Sequence, residues 1–328
     1  MKVSVILLTY NHEAYIEQSL HSVLSQKTSF DFEVLVSEDC STDRTREIVK
    51  HFADEHSDRV RLFLSESNLN TNEVTLRALR AARGEYIAFL DGDDYWTSDR
   101  KLDTQVLFMD EHPEYAVSHH NVLQFWDDGS RSPRSFKGTN QPLSSDLVDL
   151  IPGCFIAGCS AMIRLSALRS IPDWYVHNDY GDWPLYFLAA RHGRIGYIPE
   201  SLGAYRMHSG GVWTGETPVR QFEGVIRFYT VIMEYLPPDY RCEILRRSSY
   251  VSFDLGGARM KRGEYRRAFR AVRQALGMTS ACLRLAHHEG RLSSLIADEL
   301  WGGRGRRFPA ARRLVRFLLS VRLPGSAI

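Results

Sequence analysis

Cysteine is scarce in this chain of 328 residues, and the five present (Cys40, Cys154, Cys159, Cys242 and Cys282) form an odd, scattered set. No two stand at the two-residue spacing of a zinc knuckle, and the set does not read as a disulfide framework. A reducing cytosol is the expected compartment. Long apolar runs are also missing. A helix needs about 20 consecutive apolar residues to span a bilayer, and the richest segment, Leu314 to Leu323, is broken by Arg316 and Arg322. Val3 to Leu8 is too short for a signal-peptide core and leads into Thr9-Tyr10-Asn11-His12-Glu13, with no small-residue cleavage site. The first apolar run is not followed by Gly-x-Gly-x-x-Gly, and no Walker loop occurs, so neither common phosphate cradle is available. Net charge is only +1, which argues against a nucleic-acid-binding polycation.

What is present suits a folded protein: 44% hydrophobic and 25% charged residues. The charge is unevenly spread. Residues 241–328 hold 19 Arg and Lys against 6 Asp and Glu, an excess of +13, so residues 1–240 carry −12. An acidic front and a basic tail point to two separate tasks.

The first 125 residues alternate between two periods. Val3–Leu8, Phe32–Val36, Val60–Leu64, Tyr86–Leu90 and Ala116–Phe125 are strand-like apolar runs, and the segments between the first four and after the fourth have helical spacing. This alternation predicts a mostly parallel sheet covered on both faces. Residues 127–150 are expected to be loop, Phe155–Ile163 and Ile195–Ile198 strands, and Pro184–Arg191 a short helix. From about Gln221 the pattern turns helical, broken once at Pro237-Pro238. Ligands of such sheets bind beyond the carboxyl ends of the strands. Thr9-Tyr10-Asn11, Glu38-Asp39, Ser65-Glu66 and Asp91-Gly92-Asp93-Asp94 are all placed there.

Three carboxylates in four residues repel one another unless a cation is present. Oxygen ligands of this kind suit Mg²⁺ or Mn²⁺, which keep waters and share a diphosphate. Asp39 could accept hydrogen bonds from a base or ribose, or else cap the following helix, a role open equally to Ser41 and Asp43. Trp174, Tyr175, Tyr180, Trp183, Tyr205 and Trp213 cluster late in the first part, either as sugar-stacking faces or as core.

Val3-Ser4-Val5-Ile6 with Thr9-Tyr10-Asn11, then Ser37-Glu38-Asp39-Cys40-Ser41-Thr42-Asp43, then Arg83-Gly84-Glu85-Tyr86-Ile87-Ala88-Phe89-Leu90-Asp91-Gly92-Asp93-Asp94 resembles the family 2 glycosyltransferases of the GT-A fold. The resemblance implies a Rossmann-like α/β domain over residues 1–215, followed by a helical region over 216–300 and a basic tail over 301–328. It also implies a nucleotide-sugar donor, a divalent cation and an inverting transfer. Position by position, Asp39 falls on the aspartate that meets the nucleobase, and the backbone around Thr9 and Asn11 lies against the same base. Asp91 falls on the residue that meets the ribose and Asp93 on the metal ligand, with Asp94 beside them. Asp182, in Gly181-Asp182-Trp183, takes the catalytic-base position. Gly181 stands where the family has a first acid, which leaves Asp179 as a competitor. Tyr205-Arg206-Met207-His208 resembles the segment carrying a metal-binding histidine, so His208 is a candidate ligand with Arg206 nearby. No Gln-x-x-Arg-Trp motif occurs, so one sugar per encounter is expected rather than processive synthesis.

The acceptor implied is a saccharide or a lipid-linked sugar, in bacterial surface polysaccharide or glycolipid assembly. The tail interleaves Leu314, Val315, Phe317, Leu318, Val321 and Leu323 with arginines, as a basic amphipathic helix on the inner face of the cell membrane would; packing against the acidic front is the alternative. Two other functions share this sheet type. A nucleotidyltransferase would normally carry a Gly-rich loop with Arg or Lys near the first strand, which Thr9-Tyr10-Asn11-His12 does not supply. A nucleotide-sugar-binding protein would have lost its base.

Overall fold

The computed structural model describes residues 1–138, 140–211 and 215–288. Its contacts divide the chain into two units, Met1–Thr214 and Gly215–Ile328. Trp213 and the tail over 301–328 lie outside the described residues.

In the first unit, β1 (Val3–Thr9) is inside nearly throughout, which explains a continuous apolar run instead of alternation. α1 (Ile16–Leu24) buries Ile16, Leu20 and Val23. β2 (Phe32–Glu38), α2 (Thr45–Glu55), β3 (Val60–Leu64), α3 (Glu73–Ala81) and β4 (Tyr86–Asp91) complete the regular part. All four strands run parallel in the order β3-β2-β1-β4, with Val3 opposite both Phe32 and Tyr86. β5 (Tyr95–Trp96), α4 (Lys101–Glu111), β6 (Tyr115–Trp126), β7 (Arg134–Ser135), β8 (Ser144–Ser145), α5 (Leu147–Leu150), β9 (Met162–Arg164), α6 (Trp183–Ala189) and β10 (Arg194–Met207) follow. They extend the same sheet as β4-β9-β6-β10-β5, with β7 on β6 and β8 on β10. β9 is antiparallel to both β4 and β6, while β10 is parallel to β6. The fold is thus an α/β sheet, parallel on one side and mixed on the other.

Three stretches differ from the sequence expectation. Only the end of Phe155–Ile163 is strand: Ser160 Oγ donates to Ala157 O (2.7 Å), and a 3₁₀ turn over Gly158–Ser160 precedes the short β9, which holds Met162 and Ile163. A serine bonded to its own backbone competes with the ladder. Residues 127–150 are not all loop, since they hold β7, β8 and α5, the last closed by a capping box between Asp146 and Asp149. Strands of two residues are too short to show a period. β10 runs far past Ile195–Ile198, with register shifts on either side of Ser201. Pro199 and Glu200 interrupt the apolar pattern there without ending the strand.

Lys101, in the first turn of α4, is fully buried, and its Nζ has no hydrogen-bond partner. It lies 4.0 Å from the centre of the Trp96 ring. Burial pulls its pKa from 10.5 down to about 7. The unfolded chain keeps this proton up to about pH 10.5 while the folded chain releases it near 7, so its cost is full below 7 and fades as pH rises between the two. Lys101→Met is therefore expected to stabilise the protein at pH 7 by about 2–4 kcal/mol. In urea melts the gain should shrink toward pH 10; a gain independent of pH would contradict this.

The second unit is helical: α7 (Pro218–Tyr235), α8 (Arg241–Lys261) and α9 (Tyr265–His288). Pro218 fits the first position of α7, where its missing N–H costs nothing. Pro238 opens the 3₁₀ turn leading into α8. α8 and α9 meet through small residues: Ser248, Ser249, Ser252, Ala268, Ala271 and Ala275 are buried, and Ser249 Oγ lies 2.6 Å from Thr279 Oγ1. The thiols of Cys242 and Cys282 touch across the same seam at 2.6 Å without forming a disulfide. Among the described residues no helix is long and apolar enough to cross a membrane.

Candidate active site

The carboxyl ends of β1, β2, β4 and β10 bring the polar loops together. Gly92 lets them meet, because a Cβ there would stand 2.7 Å from Thr9 Oγ1 and 2.8 Å from His12 Nδ1. Only glycine permits this approach at the centre of the Asp-Gly-Asp segment.

Asp39 lies just past β2, and its backbone N donates to Thr9 O at 3.1 Å. Its carboxylate accepts from Ser65 Oγ (2.8 Å) and Leu69 N (3.0 Å) on Oδ1, and from Asn70 N (3.1 Å) on Oδ2. Oδ2 keeps one lone pair for a ligand N–H or O–H. Asp43 meets the start of α2 instead, accepting from Thr45 N at 2.9 Å, so Asp39 is not the cap. Asn11 has a positive φ of 54° and knots the two loops, its Oδ1 accepting from Thr42 N at 2.8 Å and its N donating to Ser41 Oγ at 2.9 Å. Thr9 is buried, with Oγ1 3.3 Å from His12 Nδ1.

Asp91 ends β4. Burial, then the charges of Asp93 and Asp182, push its carboxyl up to about 8. Asp93 goes the other way. Burial would raise it, but the hydrogen bond from His208 and the charges of His12 and His208 outweigh burial and hold it below the ordinary carboxylate range. His208 Nε2 is 2.9 Å from Asp93 Oδ2, and His12 Nε2 is 3.7 Å from the same oxygen. The sequence reading passed over His12, a lone histidine in a loop; only the fold shows that it faces the cluster.

Asp94 lies beside Asp91 and Asp93, as expected from the sequence, but is turned into the protein. It is 2% exposed, and its Oδ1 accepts from Arg206 N at 2.8 Å. Burial and the charges of Asp93 and Asp91 drive its carboxyl well up, and its bond to Arg206 N braces β10. Arg206 is a brace too: its Nε donates to Asp93 O, Nη1 to Asp127 Oδ1 and Nη2 to Gln18 Oε1, over the Tyr15 ring at 4.4 Å.

Asp182 joins Asp91 at this site. A Cβ on Gly158 would lie 3.3 Å from Asp91 Oδ2 and 4.0 Å from Asp182 Oδ2, so both carboxylates face one space that glycine keeps open. Burial raises the Asp182 carboxyl. It caps α6, accepting from Trp183 N at 2.6 Å. Asp179 is exposed. Of the two roles open to the late aromatics, Trp183 takes the core one: it is 4% exposed and its Nε1 donates to Leu150 O, and Tyr175 is core as well. Trp174, Tyr180 and Tyr205 remain half-buried.

Asn72 is a further residue missed from the sequence. Its Nδ2 donates to the carbonyls of Tyr175, Asn178 and Tyr180, each at 2.9 Å, and its N to Val176 O. The loop before Asp182 therefore hangs on the residue preceding α3. The same segment holds Asp39 through Leu69 and Asn70.

The donor set fits a hard divalent cation. Asp93 with His208 offers a carboxylate and an imidazole within 2.9 Å of each other, and the repelling carboxylates of Asp91 and Asp93 would gain from positive charge. Mg²⁺ and Mn²⁺ take few protein ligands and complete their shells with phosphates and water. Among the described residues no group of three or more His, Cys, Asp or Glu is arranged around one point.

The family described as Glycosyl transferase family 2 matches residues 4–171, just over half of the chain, and the protein belongs to that family. An uncharacterized protein of Mycobacterium tuberculosis is 34% identical over 225 residues, covering 64% of this chain and 60% of its own length. This chain thus spans about 60% of the length of that relative. EpsE of Bacillus subtilis is 32% identical over 210 residues, 63% of this chain and 74% of its own. Among solved structures, residues 1–349 of Staphylococcus aureus TarS in complex with UDP-GlcNAc superpose with a TM-score of 0.63 at 21% identity, covering 98% of this chain and 92% of that one. A Pyrobaculum calidifontis mannosyltransferase in complex with GDP-Man and Mn²⁺ gives 0.57 at 18% identity, covering 97% and 85%. At these identities the likeness establishes the GT-A glycosyltransferase fold.

Proposed function

We propose that the first unit transfers one sugar from a nucleoside diphosphate sugar to a hydroxyl acceptor, with inversion at the anomeric carbon. The observation that carries this reading is that Asp91 and Asp182 border one space at Gly158, with Asp93, bonded to His208, close enough to act on Asp91.

Asp39 offers its spare lone pair to the nucleobase and Asp91 accepts from the ribose. Asp93 and His208 would hold the Mg²⁺ or Mn²⁺. The bound ion supplies neutralisation of the charge that builds on the leaving diphosphate. Asp182, made more basic by burial, takes the proton of the acceptor hydroxyl. Attack from the side of Asp182, opposite the diphosphate, is a single displacement and inverts the centre. A saccharide or a lipid-linked sugar is the acceptor class. The GT-A neighbours above were solved with nucleotide sugars, which supports the donor class. A TarS of Staphylococcus aureus named as a poly(ribitol-phosphate) beta-N-acetylglucosaminyltransferase is 41% identical over 118 residues, 34% of this chain and 19% of its own, which supports surface polysaccharide or glycolipid assembly. The tail over 301–328 belongs to the proposal as a contact with the inner face of the cell membrane.

A thermal-shift panel of UDP-, dTDP- and GDP-sugars tests the donor assignment. One nucleobase series is expected to raise Tm by about 5 °C at saturating ligand, and only with Mn²⁺ or Mg²⁺ present. A panel in which no nucleotide moves Tm contradicts it.

A further inference from the structure

The second unit carries a surface that glycosyl transfer does not use. Where α8 turns into α9, a groove of about 1040 Å³ opens between Gly256, Gly257 and Met260 on one helix and Tyr265, Phe269 and Val272 on the other. Its floor is bare because two consecutive glycines remove side chains from α8. Gly256 allows contact with Val272, since a Cβ there would stand 2.8 Å from Val272 Cγ2. Gly257 has nothing within 4 Å of such a Cβ, so packing inside this unit does not require it. Glycine inside a helix is unfavourable relative to alanine. The walls are large and apolar yet open to solvent: Met260 is 54% exposed, Tyr265 67% and Phe269 72%. Exposed apolar side chains in one patch mark an interaction surface.

The rim determines the kind of partner. Between Lys261 and Arg273 the chain has six basic residues (Lys261, Arg262, Arg266, Arg267, Arg270 and Arg273) and one acid, Glu264. Glu264 is shared by Arg262 at 3.1 Å and Arg267 at 3.5 Å. Arg266 and Arg270 line the groove itself. They stand four apart on α9, each next in sequence to one of its exposed aromatics. We infer that this α8–α9 corner docks on an anionic lipid bilayer, with Tyr265, Phe269 and Met260 entering the headgroup boundary and the arginines meeting lipid phosphates. Aromatic side chains beside a basic face are the composition of interfacial helices. Charge disfavours the other occupants. The chain's own segment over 301–328 has seven arginines and no acid, and a second copy meeting this patch with its own would set arginine against arginine.

The test is co-sedimentation of the full chain with phosphatidylcholine vesicles, with and without phosphatidylglycerol. Binding is expected only with phosphatidylglycerol. It should weaken at least about tenfold in Tyr265→Ser/Phe269→Ser and in Arg266→Glu/Arg270→Glu. Transfer to a soluble acceptor stays unchanged in both variants, so failure of this surface and failure of the transferase reading are separately visible. Equal binding to neutral vesicles, or absence of binding, overturns the inference. So does binding that survives both variants and is lost only on deleting 301–328, which would assign the membrane contact to the tail. A dimer in solution that Phe269→Ser dissociates would assign the face to a second copy and overturn it as well.

Discussion

Asp182→Asn is expected to lower kcat by about 10²–10⁴-fold, the range for loss of one general base, while leaving the KM for the donor nearly unchanged. The amide is isosteric, and its oxygen can still accept from Trp183 N as Asp182 does, so the start of α6 and the fold persist. The pH profile carries a second signature. A base must be deprotonated to act, so the rate rises with pH through its pKa. Burial lifts the Asp182 carboxyl, which places the acid limb above the ordinary carboxylate range. Initial rates with varied donor and pH measure both. Asn72→Ala gives a graded version. It leaves the carboxylate in place but removes the amide that holds Tyr175, Asn178 and Tyr180 carbonyls. A fall in kcat of about tenfold follows from a loosened base, with donor binding retained. Full activity in Asp182→Asn would move the base elsewhere, with Asp179 the first residue to examine.

Asp93→Ala is expected to remove cation-dependent binding of the nucleoside diphosphate. Asp93 is the one member of the acidic cluster whose carboxyl is held low, by His208 and His12 against burial, and so the one already charged to receive a cation. Losing it leaves Asp91, whose own burial favours the neutral form. Isothermal titration with Mn²⁺ present should show the diphosphate affinity falling at least about a hundredfold, and His208→Ala about ten- to a hundredfold. Binding that is equally tight in Asp93→Ala and insensitive to chelator would contradict the assignment.

The sequence speaks most clearly where one element decides one feature. Val3–Leu8 had to be a strand buried on both faces, and Asp91-Gly92-Asp93 had to stand at the tip of another. Strand-length apolar runs and their helical intervals survive any packing detail. The right half of the sheet was less legible. β5, β7 and β8 have two residues each, and β9 has three, so no period can build up. Site residues divide in the same way. Asp39, Asp91 and Asp93 stand at strand ends and can be read from position; His208 follows a strand longer than the sequence suggests, and only the family resemblance points to it. Asn72 and His12 act through side-chain geometry set by loops 30 to 110 residues away in sequence, for which spacing holds no signal. Trp183 shows the converse. Its type suited a sugar face, but the helix that Asp182 caps turns it inward, and burial then settled its role.

The central claim is that Asp93 and His208 share a divalent cation beneath the donor diphosphate. A crystal grown with Mn²⁺ and a nucleoside diphosphate, measured at a wavelength where manganese scatters anomalously, tests it most directly. The account predicts one strong peak at bonding distance, about 2.1–2.2 Å, from Asp93 Oδ2 and His208 Nε2, with diphosphate oxygens on its open side. A bound nucleotide with Asp93 and His208 still hydrogen-bonded to each other and no peak between them would contradict it.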